Sequence, residues 1–406
     1  MILESTLKKV IEQQRSLLNQ KDQGLKRELV PATKSLSSHA LIISGIRRCG
    51  KSTLLLQMLN GMPPETSFFL NFDTPQLYGF SANDFTRLDN IISGSGVSVL
   101  FFDEIQMVVG WEMYVRQKLD EGFKVIATGS NASMLSMELG SRLTGRHITQ
   151  ELYPFSYSEF LRFRKITASA DSLSVYMNLG GFPEYLKNED VEQLIMLYDD
   201  ILVRDIVARY NIKDAVGLKR LANFLIANIG NRVTATKLKQ PLSIGATSTV
   251  LNWLSHLELS YLFGFLPMFS YSAKAQLINP RKLYAIDTGL VNALSVSKSE
   301  DKGRKLENMV YVHLRRQYSE LYYFDDKGEC DFVAFKNGHP EKLVQVCLEL
   351  NADNVDREVK GLTAAMNFFD IDKASIVTFT DSDSIDTNGL TIEVIPAYSF
   401  LCRGNE

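Results

Sequence analysis

The chain is poor in the residues that staple small or secreted folds. Four cysteines in 406 residues, Cys49, Cys330, Cys347 and Cys402, stand far apart, form no CxxC pair and have no clustered histidine beside them. A disulfide framework and a zinc site are therefore not expected. The five histidines are scattered, which removes the usual transition-metal signatures. No apolar run approaches the roughly 18 residues that a membrane span needs. The N-terminal stretch Met1 to Asn19 is a charged amphipathic helix pattern carrying Lys8, Lys9, Glu12 and Arg15, without the apolar centre of a secretion signal. A cytoplasmic chain without membrane contact is expected. Large excess charge is missing as well: a net charge of −3 argues against a surface coated for nucleic acid all over, while leaving room for a local basic face. What remains is an ordinary globular composition, 45% hydrophobic, long enough for several domains.

Against this plain background one stretch stands out. Gly45-Ile46-Arg47-Arg48-Cys49-Gly50-Lys51-Ser52-Thr53 fits the phosphate-loop pattern G-x-x-x-x-G-K-[ST]. The apolar run Ala40 to Ile43 precedes it and Thr53 to Leu59 follows, so a buried strand should enter the loop and a helix should leave it. Such a loop turns backbone N–H groups toward phosphates, and the helix start adds its positive dipole end. Lys51 is expected at the β- and γ-phosphates of ATP, and the Ser52 hydroxyl on Mg²⁺. The loop positions Gly45, Arg47, Arg48, Cys49, Gly50 and Thr53 complete the expected nucleotide cradle.

The strand–helix alternation continues with Ser67 to Asp73, a helix around Asp84 to Ile92, and then Val97 to Glu104, an apolar strand ending in two carboxylates. About 50 residues beyond the loop, Asp103 is the expected metal-organising residue and Glu104 the base that polarises the attacking water. The strand Gly122 to Asn131 should end beside them. Its Thr128, Ser130 and Asn131 are candidates to touch the γ-phosphate or the water, because ligands of open parallel sheets lie at the carboxyl ends of the strands. Gly140 to Arg146 is a Gly-flanked segment that carries two arginines, Arg142 and Arg146. Either is a candidate arginine finger, acting in this chain or on a neighbouring copy in an oligomer.

Gly-x-Arg-Arg-x-Gly-Lys-Ser-Thr, Phe-Phe-Asp-Glu-Ile-Gln, Thr-Gly-Ser-Asn, Arg-Leu-Thr-Gly-Arg and Leu-Tyr-Pro-Phe-Ser-Tyr-Ser-Glu-Phe, in this order, resemble the AAA+-like ATPases that carry a DUF4143 C-terminal region. Gly180-Gly181-Phe182-Pro183-Glu184, Asp205-Ile206, Asn279 to Gly289 and Leu306-Glu307-Asn308 extend the resemblance over nearly the whole chain. It implies an ATP-binding α/β core over 1–158, a helical lid over 159–210, a winged-helix-like module over 211–275 and a nuclease-like fold over 276–406.

The residues support that division independently. Phe160 to Tyr210 reads as helical with a break at Gly180 to Pro183. Helices at Leu218 to Asn228, Ala235 to Lys239 and Ala246 to Leu257, followed by an apolar hairpin around Tyr261 to Tyr271, suit a winged helix-turn-helix. Residues 211–275 hold seven Lys/Arg against two Asp/Glu, which favours a phosphate-backbone partner such as DNA. The candidate recognition helix offers Ser248, Thr249, Asn252, Ser255 and His256 but no cation for base reading, so a protein partner is the alternative. In the last third, Glu307 on a helix, Asp331 on a strand and Gln345 on the next follow the order of the restriction-enzyme-like PD-(D/E)XK nucleases. Cys347 stands where their lysine belongs, with Lys336 and Lys342 off the matching position. This region is expected to be inactive as a nuclease.

Overall fold

The computed structural model describes residues 1–29, 38–130, 143, 145–295 and 301–404. It divides into two compact units, Met1–Leu152 and Tyr153–Glu406.

In the first unit, strands β1 (Ala40–Ser44), β2 (Ser67–Asn71), β3 (Val99–Asp103), β4 (Lys124–Gly129) and β5 (His147–Glu151) form one sheet in the order β2-β3-β4-β1-β5. All pairs are parallel. Every residue of β1 and of β3 is buried, as expected for central parallel strands covered on both faces. Helices α1 (Glu4–Gln20), α2 (Lys51–Asn60), α3 (Phe85–Ile92) and α4 (Trp111–Asp120) accompany the sheet. Phe72, Phe80, Phe85, Phe102 and Tyr114 knit part of this core, with Phe85 stacked on Tyr114 at 3.8 Å. The chain leaves β1 past β4 and β3 to reach β2, then returns past β1 to β5. That reversal of direction leaves a crevice at the carboxyl end of β1, where the phosphate-loop motif follows.

In the second unit, helices α5 (Tyr157–Arg164), α6 (Ala170–Leu179), α7 (Tyr185–Asn188) and α8 (Val191–Asp200) lead into a π-helical stretch, Ile201–Ala208. Then come α9 (Ala215–Ile226), β6 (Arg232–Val233), α10 (Ala235–Lys239), α11 (Thr247–Leu259), β7 (Phe263–Leu266), α12 (Ala273–Ile278) and β8 (Arg281–Ala285). β6, β8 and β7 form a small antiparallel sheet. The expected hairpin within Tyr261 to Tyr271 is corrected here. Phe263 to Leu266 pairs instead with Ala285 to Lys282, so this sheet crosses the expected boundary at residue 275.

Beyond it, α13 (Thr288–Leu294) and α14 (Lys302–Gln317) precede β9 (Glu320–Asp325), β10 (Glu329–Lys336) and β11 (His339–Val346), and the rest of the chain adds α15 (Val355–Phe369), β12 (Lys373–Thr378), β13 (Asp383–Thr387), β14 (Leu390–Pro396) and α16 (Ala397–Phe400). The six strands form a mixed sheet, order β13-β14-β12-β11-β10-β9. α15 lies on it through Leu362, Ala365, Met366 and Phe369. No helix among the described residues is long and apolar enough to cross a membrane.

Two motifs of the second unit explain each other. The Asp287 carboxylate accepts the Gly181 N–H at 2.6 Å and the Leu290 N–H at 3.1 Å. Phe155 N–H donates to Gly181 O at 2.6 Å, and a Cβ on Gly181 would stand 2.3 Å from Phe155 O. Gly181→Ala must therefore push backbone from backbone. A loss of about 1–3 kcal/mol is expected, read as a fall of roughly 2–12 °C in melting temperature.

Candidate functional site

Local sequence makes the loop. Gly50 caps α2 at φ 104°, ψ 21°, a left-handed conformation that side chains rarely adopt. A Cβ on Gly45 would meet Leu152 O at 2.1 Å. Both glycines are thus required for the backbone to close over itself. The Lys51 ammonium, 4% exposed, donates to Gly45 O at 3.0 Å and Ile46 O at 3.1 Å, and lies 3.9 Å from Glu104 Oε1. Cys49 is fully buried beneath the loop, where burial pushes its thiol up from the usual range. Arg47 is half-buried and Arg48 exposed.

Asp103 ends β3, 1% exposed and surrounded by donors. The Thr128 hydroxyl donates to Oδ1 at 2.5 Å and the Asn71 amide to Oδ2 at 2.9 Å. Burial raises its pKa and the Glu104 carboxylate adds to that, while the Thr128 and Ser52 hydroxyls and the Lys51 ammonium pull it back; the net direction is upward. A cation beside Ser52 and Asp103 would restore the anion. Glu104, at φ 52°, turns out of the strand line; its N–H donates to Thr128 Oγ1 at 3.0 Å, and its Oε2 accepts from Gln106 Nε2. Gln106 Nε2 lies 3.5 Å from Ser130 Oγ, and Gln106 Oε1 is buried with no hydrogen-bond partner among the described residues. The ends of β1, β3 and β4 thus gather Lys51, Ser52, Asp103, Glu104, Thr128 and Ser130.

Arg146 is not brought there. It precedes β5, whose His147 pairs with Ala40 at the amino end of β1, opposite the loop. Its guanidinium is bound to Asp120 and to Ser38 O. As a finger for this chain's own loop, Arg146 is corrected: the length of β1 lies between them. Arg142 and Asn131 lie outside the described residues.

The second unit holds the other constellation. Asp331 on β10, Glu307 on α14 and Gln345 on β11 are brought together, and a lysine from another strand joins them. Lys282 of β8, 5% exposed, places Nζ 2.6 Å from Asp331 Oδ1, 3.1 Å from Glu329 Oε1 and 3.3 Å from Glu307 Oε1. Tyr284 OH donates to Glu307 at 2.7 Å. Gln345 Oε1 accepts the Asp331 N–H at 3.0 Å while its Nε2 donates to Glu358 at 2.7 Å. Among the described residues no group of three His, Cys, Asp or Glu could hold a metal ion.

Residues 37–161 match a family model described as an AAA domain. Residues 170–301 match a domain of unknown function, DUF8612, a different model from the DUF4143 region that the resemblance implied. An uncharacterized protein of Methanocaldococcus jannaschii, MJ1544, is 33% identical over 398 residues, covering 90% of this chain and 89% of its own length. The chain belongs to the MJ1544 family. An uncharacterized protein of Haemophilus influenzae is 32% identical over 330 residues, covering 76% of this chain and 82% of its own length. Among solved structures, AMPPCP-bound DnaA from Aquifex aeolicus aligns at 14% identity over 62% of this chain and 88% of its own, with a TM-score of 0.27.

In this MJ1544-family chain the structure adds site residues to which sequence reading assigned no role. Arg27, 3% exposed, donates to Cys49 O at 2.8 Å and braces the loop from below. Asn71 and Gln106 contact the two carboxylates. Asn71 is the polar end of an apolar strand, a signal present in the sequence. Lys282 carried no signal, because only the fold brings β8 to β10.

Proposed function

We propose that the chain is a Mg²⁺-dependent ATPase whose turnover alters a partner-binding surface, with nucleic acid as the partner. The observation that carries the enzymatic part is the convergence of Lys51, Ser52, Asp103 and Glu104 at one crevice, beneath a loop closed by Gly45 and Gly50. These residues fit the group. ATP phosphates would lie against the loop N–H groups and Lys51, and Mg²⁺ would be held by Ser52 and Asp103. Bound Mg²⁺ supplies charge neutralisation for phosphoryl transfer. Glu104 takes the proton of the attacking water. Gln106 Oε1, which has no partner among the described residues, would accept a hydrogen bond beside it.

The partner reading rests on the second unit. Helices α9, α10 and α11 with the sheet β6-β8-β7 are read as a winged helix, and Lys213, Lys219, Arg220 and Lys237 are exposed on that segment. α5 to α8 are read as the lid, and the six-stranded sheet with α15 as a nuclease-like fold retained for binding. The exposed positions of α11, Ser248, Leu251, Asn252 and Ser255, lack a cation. That favours backbone over base contacts, and it also favours the second reading, an ATP-gated switch acting on a protein.

Steady-state phosphate release, titrated with duplex and single-stranded DNA at two salt concentrations, tests this. Stimulation that weakens with salt is the expected result. Lys51→Ala should weaken ATP binding about 10- to 150-fold, the loss of one charged contact. Slow turnover indifferent to DNA would favour the protein-directed switch, and no turnover or nucleotide binding at all would overturn the ATPase.

A further inference from the structure

Among the described residues β2 is an edge strand, with no neighbouring strand on one side of its backbone. At its last residue a side chain fills that place. The Gln14 carboxamide on α1 donates from Nε2 to Asn71 O at 2.9 Å, and its Oε1 accepts the Asn71 N–H at 2.8 Å. One glutamine thus makes both bonds that a partner strand would make.

Asn71 has a second attachment. β2 and β3 pair in register at Asn71 and Asp103, and Asn71 Nδ2 donates to Asp103 Oδ2 at 2.9 Å. The orientation of the amide is settled by its other end, since Asn71 Oδ1 accepts the Asp73 N–H at 2.7 Å. Gln14, Asn71 and Asp103 form a continuous chain from a surface helix to the buried carboxylate.

The helix that carries Gln14 is held unevenly. Its first half is anchored by Leu7 and Val10 in the core, and the Ile2 N–H bonds Asp84 at 2.9 Å. Its second half runs beside a groove of about 380 Å³ lined by Ile11, Arg15, Leu18, Leu59, Phe68 and Phe69. Leu17 on the same half is 66% exposed. Over this half, Gln14 hydrogen-bonds the end of β2.

We propose that Gln14 is a positioning residue for Asp103, acting through Asn71, so that the seating of α1 sets the rate of turnover and not the affinity for nucleotide. The kinetic part rests on the ATPase reading; the structural link does not. With Gln14 in place, Asn71 holds Oδ2 while Thr128 holds Oδ1, and the carboxylate has one orientation toward Ser52. When the second half of α1 lifts, the end of β2 loses its outer bonds and Asp103 loses the fixed Asn71 donor.

The test uses the full chain as wild type, Gln14→Met, Asn71→Ala and the double variant, with Leu17→Ala as a control on the same helix. Methionine keeps the length of the side chain and removes both hydrogen bonds. Gln14→Met should lower kcat about threefold to tenfold, the effect of roughly one hydrogen bond, with the Kd for a fluorescent ATP analogue within about twofold. In the Asn71→Ala background the same substitution should change nothing further, because Gln14 acts only through that side chain. An equal loss in both backgrounds, an unchanged kcat, or an equal loss in Leu17→Ala would overturn the proposal. A second readout needs no turnover. With selective ¹⁵N-asparagine labelling, hydrogen exchange of the Asn71 side-chain amide should speed about tenfold or more in Gln14→Met. Unchanged exchange would overturn the link even in a chain that proves not to be an ATPase, whereas faster exchange without turnover would uphold the link and sink only the ATPase reading.

Discussion

Glu104→Gln is expected to bind ATP with Mg²⁺ as tightly as the parent and to lose about 10²- to 10⁴-fold in turnover, the usual contribution of a positioned general base. The substitution keeps the size and the hydrogen-bonding reach of the side chain. It leaves Lys51 on the carbonyls of Gly45 and Ile46, and it leaves the Thr128 bridge intact, because that bridge uses the Glu104 N–H. What disappears is the capacity to accept a proton 3.9 Å from the Lys51 ammonium. Asp103→Asn should behave differently. An amide placed at that position must turn a donor toward either the Asn71 amide or the Thr128 hydroxyl, both of which now donate. It should therefore weaken Mg²⁺-dependent binding as well as turnover. Parallel titrations with a fluorescent ATP analogue and phosphate-release kinetics separate the two. Equal loss of binding in both variants would show that Glu104 holds nucleotide and does not act on water.

The contrast between these neighbours marks what the sequence could and could not disclose. The loop, the two carboxylates and Ser130 were legible because each is a local pattern: two glycines at fixed spacing, then apolar strands that end in polar residues. β1 to β4 were legible for the same reason, since parallel strands covered on both faces are near-continuous apolar runs. β5 was not. His147 to Glu151 is half-exposed and largely polar, and pairing with β1 alone makes it a strand. That omission also hid the position of Arg146, whose distance from the loop follows from the register of β5. In the second unit the order of helices was legible by period, but the small sheet was misjudged. β7 is apolar enough to suggest a local hairpin, yet its partner β8 lies beyond α12. The same non-local strand carries Lys282, so no spacing rule could have placed a lysine beside Asp331.

Lys282→Met should destabilise the chain by about 3–5 kcal/mol, the cost of breaking a buried ion pair from one side. The melting temperature of the second unit is expected to fall roughly 6–20 °C. Burial by itself pulls the lysine's pKa down, and Asp331, Glu307 and Glu329 more than restore it, so the ammonium stays charged. Burial and then the Asp331 carboxylate push Glu307 up to about 7, with Lys282 and the Tyr284 hydroxyl holding it back. Removing the ammonium removes that restraint, and Glu307 should rise further. The sign of the pH dependence follows. A carboxyl whose pKa is higher in the folded state keeps its proton there while the unfolded chain has lost it, so stability falls as pH rises from the unfolded value, about 4.3, to the folded one. The deficit of Lys282→Met should accordingly be largest above neutral pH and shrink toward pH 5. Melting curves from pH 5 to 8 for wild type and variant check this; a deficit independent of pH would mean that the lysine stem packs and its charge does not matter. The same geometry bears on the nuclease-like order of Glu307, Asp331 and Gln345. Lys282 engages the Asp331, Glu307 and Glu329 carboxylates and the Gln345 amide is committed to Asp331 and Glu358, so plasmid DNA should survive incubation with Mn²⁺ and ATP. In this chain the ammonium ties the three carboxylates together, and the cluster joins β8 to α14 and β10.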